Sequence, residues 1–72
     1  MEKIIAYIEE CLREARYNTK KATINTYYQR AYGAVFAYTL LHHDTQSICD
    51  LWDNNYRPQF EEELYKAERR EL

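Results

Sequence analysis

The sequence predicts an all-α fold: a small three-helix bundle in a single domain, residues 1–72, with the third helix kinked or split near Pro58. Three observations carry this. Glycine and proline occur once each, too few for the many turns of a β-sandwich or barrel. Three long stretches repeat apolar residues at helical spacing. The middle stretch holds no charge between Arg30 and His42, which marks it as the element the others pack on.

In that stretch Ile24, Tyr28, Ala31, Val35, Tyr38 and His42 share one helical face at about 100° per residue. Tyr32, Phe36 and Leu40 form a second stripe beside it. The far side holds Gly33 and Ala37, which are small rather than polar. A helix that is apolar nearly all round is expected to be buried nearly all round. Residues 20–42 are therefore predicted as a central helix with Phe36 deep in the core. Loss of that ring would then cost about 3–5 kcal/mol.

The first helix is predicted over residues 2–16, with Ile4, Ile5, Ile8, Cys11, Leu12 and Ala15 on one stripe. Asn18 can end it in a left-handed conformation. Thr19 or Thr23 can cap the next helix by accepting a backbone N–H. His43-Asp44-Thr45 makes the second connection, and Asp44 or Thr45 can cap the third helix. Ile48, Trp52, Tyr56, Phe60, Leu64 and Ala67 then share one face to the tail. That phase survives Pro58, which favours one kinked helix, since proline removes a backbone bond and clashes with the preceding turn. Asn54-Asn55 before Pro58, and acids at 61–63 ahead of Lys66, Arg69 and Arg70, suit a break instead.

The bulk numbers bound function more than they assign it. A net charge of −2 gives no strong field toward nucleic acid or membrane. The charge is uneven, however: Arg13, Arg16, Lys20, Lys21 and Arg30 lie in the first two helices, and the tail is acidic. These five bases, with Tyr17, Tyr27 and Tyr28, are the candidate nucleic-acid surface, since cations hold phosphates while aromatics stack on bases. Five bases release few counterions, so such binding is expected to be weak and to vanish near physiological salt.

No secretory signal is expected, because residues 1–8 lack a basic start and Glu9-Glu10 ends the apolar run. The uncharged run is far short of the ~20 residues that span a bilayer, so no membrane partner is expected. Cys11 and Cys49 are read as free thiols in a reducing cytoplasm. With His42 and His43 they show no ligand spacing for zinc, so no metal or other cofactor is expected. The acids at 61–63 and Asp50 and Asp53 fall on the solvent side of their helix, not in a pocket, and no catalytic residue is assigned.

Eight tyrosines in 72 residues are the strongest compositional anomaly. Tyrosine has a large apolar body and a polar tip, and it serves equally as core rim and at protein interfaces. The expected function is accordingly that of a small cytoplasmic interaction or accessory protein without catalysis, whose partner is another protein or a second copy of itself. Its expected contact residues are Tyr27, Gly33, Ala34, Ala37, Leu41 and Tyr65, with Tyr32 also at the interface. A nucleic-acid-associated regulator using the basic corner is the alternative.

Overall fold

The computed structural model describes residues 2–71. It is an all-α bundle. Helix α1 spans Glu2–Tyr17, α2 Lys21–Leu41 and α3 Gln46–Leu51. A π-helical turn over Trp52–Tyr56 leads without a break into α4, Arg57–Glu71. The third helix of the sequence reading is thus one rod made of α3, the π turn and α4. No described residue has a positive φ.

The first connection is made differently from the expectation, and the second keeps the expected cap position without the expected side-chain bond. Asn18 does not turn left-handed. Its side-chain Nδ2 donates to the Glu14 carbonyl at 2.7 Å, and its N–H donates to the Ala15 carbonyl at 3.3 Å. Those bonds satisfy carbonyls that the helix end would leave open, so no special φ is required. Lys20, not Thr19 or Thr23, takes the N-cap position of α2, and no side chain caps it. Thr45 stands at the N-cap of α3, also without a side-chain bond.

The third helix is interrupted just ahead of Pro58, as the sequence predicts, and the interruption is the π turn over Trp52–Tyr56 that joins α3 to α4. The Arg57 N–H donates to the Trp52 carbonyl, five residues back. This wider turn precedes Pro58, whose ring would press on the Asn54 carbonyl in a regular α-helix. It also serves the core. Ile48, Trp52, Tyr56 and Phe60 recur every fourth residue and are all buried. At 3.6 residues per turn such a row drifts round the helix, and one wide turn brings it back into line.

The core follows the predicted stripes closely. From α1 come Ile8, Cys11, Leu12 and Ala15; from α2, Ile24, Ala31 and Val35; from the third rod, Ile48, Trp52, Tyr56, Phe60 and Ala67. Helix α1 packs along α2, and α4 packs on both. Tyr28 stacks on both Trp52 and Phe60, with centroids at 5.9 and 5.4 Å, and the three rings form one cluster. Lys21 pairs with Glu68 at 3.6 Å, so α4 runs back along the first half of α2. The molecule is elongated, 43 × 18 × 16 Å.

Two consequences concern α2. Phe36 is not in the core: it is 57% exposed, with Tyr32 at 55% and Leu40 at 71%. Both neighbours of α2 lie against its Ile24–Tyr28–Ala31–Val35 side, and two neighbours cannot wrap a whole helix. Gly33 also faces open space, since a Cβ there would meet no atom within 4 Å. Gly33→Ala should therefore stabilise the chain by about 1 kcal/mol. In a thermal melt that is a rise of roughly 4–8 °C. A lower midpoint would mean that the bare backbone at Gly33 is needed for packing.

Candidate interaction surface

The surface is built by a change of composition along one helix. Asn25, Thr26, Gln29 and Arg30 make the outer face of α2 polar in its first half. Tyr32, Gly33, Phe36, Ala37, Leu40 and Leu41 make it apolar in the second, and all six are exposed. Thr39 donates its hydroxyl to the Phe36 carbonyl at 2.6 Å, so even this polar side chain is turned back on its own helix.

A groove of about 230 Å³ borders the stripe, because α3 stands off α2 there. Tyr32, Val35, Phe36 and Thr39 form one wall, and Cys49, Trp52 and Asp53 the other. Trp52 meets Tyr32 edge-to-face at 6.1 Å. Its indole N–H is buried and finds no acceptor among the described residues. Along the opposite edge of the bare half of α2, Ala34, Ala37 and Leu41 line a shallow depression with Ile4 and Tyr7 of α1.

The residues expected at an interface are only partly brought together. Gly33, Ala37 and Leu41 lie on the bare face, Leu41 being 80% exposed, and Ala34 is half-buried at its edge. Tyr27 is half-buried, with the Arg30 guanidinium 5.3 Å from its ring centre. Tyr65 is exposed on α4 beneath Arg69, near the opposite end of the bundle. Tyr32, Phe36 and Leu40 are the larger part of the patch. The sequence reading put Tyr32 at an interface but Phe36 and Leu40 inside. The switch from polar to apolar on one outer arc of α2 was the signal for them.

The basic residues are largely occupied within the fold. Arg13 pairs with Glu10, Arg16 donates to Gln59, Lys21 reaches Glu68 and Arg30 lies over Tyr27. Further along, Arg57 pairs with Asp53 at 3.2 Å and Lys66 with Glu62 at 3.5 Å. His42 stacks on Tyr38 at 4.0 Å. Among the described residues no three His, Cys, Asp or Glu side chains gather where they could hold a metal ion. No helix among the described residues is long and apolar enough to cross a membrane.

Four groups have raised pKa values. Burial pushes the Cys11 thiol up. The Cys11 side chain, then burial, push the Tyr7 phenol up. Tyr28 is raised by burial and then by Glu61, and Tyr56 by burial and then by Glu9. In the unfolded chain these groups ionise near pH 8.5 for Cys and 10 for Tyr. As pH rises through those values the unfolded state loses protons that the folded state keeps, so folding stability falls. The urea midpoint should be lower at about pH 10 than at about pH 7. An unchanged midpoint would mean that burial of these groups is not felt.

Comparison with protein-family models, with curated proteins and with solved structures returns no match.

Proposed function

We propose that the chain is a small cytosolic accessory protein without catalytic activity, and that it acts by docking another protein surface on the outer face of α2 across residues 31–41. One observation carries this: Tyr32, Phe36 and Leu40 stand more than half exposed along one stripe of α2, and Leu41 is exposed further round the same uncovered half of the helix. Fully covered aromatic side chains bury about 150–250 Å² each. At the exposures seen, these four side chains offer on the order of 500 Å², the upper range for a monomer's largest apolar patch, and such patches are often functional. Aromatic residues are also favoured in interface centres. Two free thiols suit a reducing compartment.

The test is cross-linking in a native extract, comparing the natural chain with a Phe36→Lys, Leu40→Lys variant. Both side chains are exposed, so the variant keeps the fold. Cross-links to protein should map to residues 31–41 and disappear in the variant. Cross-links that stay elsewhere on the chain, untouched by the variant, would overturn the reading.

A further inference from the structure

We infer that the occupant of this face is a second copy of the same chain, the two α2 helices crossing antiparallel about a two-fold axis beside Phe36 and Ala37. The inference rests on the docking reading above and names its partner. The patch is complementary to itself. In such a crossing, positions equally far from the axis on the two copies lie level with each other. Leu40 of one copy then enters the hole framed by Tyr32, Gly33 and Phe36 of the other. Gly33 is the floor of that hole, and the space above it is empty. The same contact occurs twice, as a two-fold interface requires. Next to the axis the two Phe36 rings meet on one side and the two Ala37 methyls on the other.

Charge and area point the same way. No charged side chain lies between residues 31 and 41, and Asp53, the acid at the border of the groove, is paired with Arg57 at 3.2 Å, so no unpaired like charges face each other across the stripe. Arg30 stands at one end of the patch and Asp44 just past the other. An antiparallel crossing sets each Arg30 toward the partner's acidic end, whereas a parallel one would set Arg30 against Arg30. The exposed stripe, on the order of 500 Å², reaches toward the roughly 800 Å² per partner of a standard specific interface once its rim is included. A chain of 72 residues also gains from assembly, because so small a core leaves little stability in reserve.

The experiment is light scattering after size exclusion, across micromolar to millimolar concentrations, with four proteins. The natural chain should show twice its 8.8 kDa mass. Phe36→Lys and Phe36→Glu, each alone, place like charges across the axis and should run at the single-chain mass. Mixed, they should regain the doubled mass. Gly33→Leu fills the hole and should raise the dissociation constant about tenfold or more, while its circular dichroism stays that of the folded helical chain. A natural chain that stays single at every concentration overturns the dimer. So does a doubled mass that survives both Phe36→Lys and Gly33→Leu, and so does a natural dimer whose charged variants fail to recombine. A single-chain mass combined with cross-links at residues 31–41 to a different protein would sink the dimer and leave the docking reading standing. Loss of both would remove the two together.

Discussion

Phe60→Ala should unfold the chain or leave it close to its midpoint at room temperature. Phe60 is fully buried, among the largest side chains that are. Its ring stacks on Tyr28 and tilts against Trp52, with centroids 5.4 and 5.8 Å away. Truncating a core phenylalanine costs about 3–5 kcal/mol. At roughly 0.05–0.15 kcal/mol per residue, a chain of this length has about 4–11 kcal/mol in all. The lone tryptophan gives the readout, since Trp52 is almost fully buried beside the deleted ring. Its emission should shift to the red, and the urea midpoint should collapse. The same truncation at Phe36, a ring with more than half its surface in water, should move the monomer's stability by a small fraction of that. Equal losses at the two positions would contradict the arrangement of α2 and α4.

Ile8→Ala is the second large effect. Ile8 lies in the middle of α1 with no exposed surface, and removing its branched end leaves a cavity in the seam with α2. The expected loss is about 2–5 kcal/mol, the spread depending on how far the surroundings close in. Its neighbour on the same helix provides a contrast. Tyr7 is 45% exposed, so Tyr7→Ala should cost much less. A midpoint in urea unaffected by Ile8→Ala would mean that α1 is held by its ends and not by its stripe.

The helices and most of the core were legible because their information is local. The stripe Ile8, Cys11, Leu12, Ala15 and the row Ile48, Trp52, Tyr56, Phe60, Ala67 read at helical spacing and are buried. The ion pairs Asp53–Arg57 and Glu62–Lys66 are local in the same sense, each spanning one turn of helix. The π turn was visible only as a conflict, a core phase that ran through a proline. Sequence periodicity registers the conflict but not its resolution, which depends on backbone bonds being redrawn. Phe36 was misplaced for a different reason. An apolar face shows that water is unfavourable there, not which surface replaces it. Helix α2 is apolar round most of its second half, yet the chain supplies neighbours for only one side. Of the candidate surface, Gly33, Ala37 and Leu41 were found by asking what was left over. Phe36 and Leu40 were missed because a helix apolar nearly all round was taken to be buried nearly all round.

The taper of the bundle has a kinetic meaning. Around Ile24 and Tyr28, α2 is held by α1 and α4 together; toward Thr39 and Leu41 it has only the first turns of α1 and the stand-off segment α3 beside it. Backbone amides in the first region should exchange with deuterated solvent only when the whole chain opens. Those of the last turns should exchange through local opening, at far smaller cost. One continuous helix would thus carry a gradient of protection from its middle to its C-terminal end. The freest amides would be those beneath Leu40, where any protein that settles on α2 would slow them first.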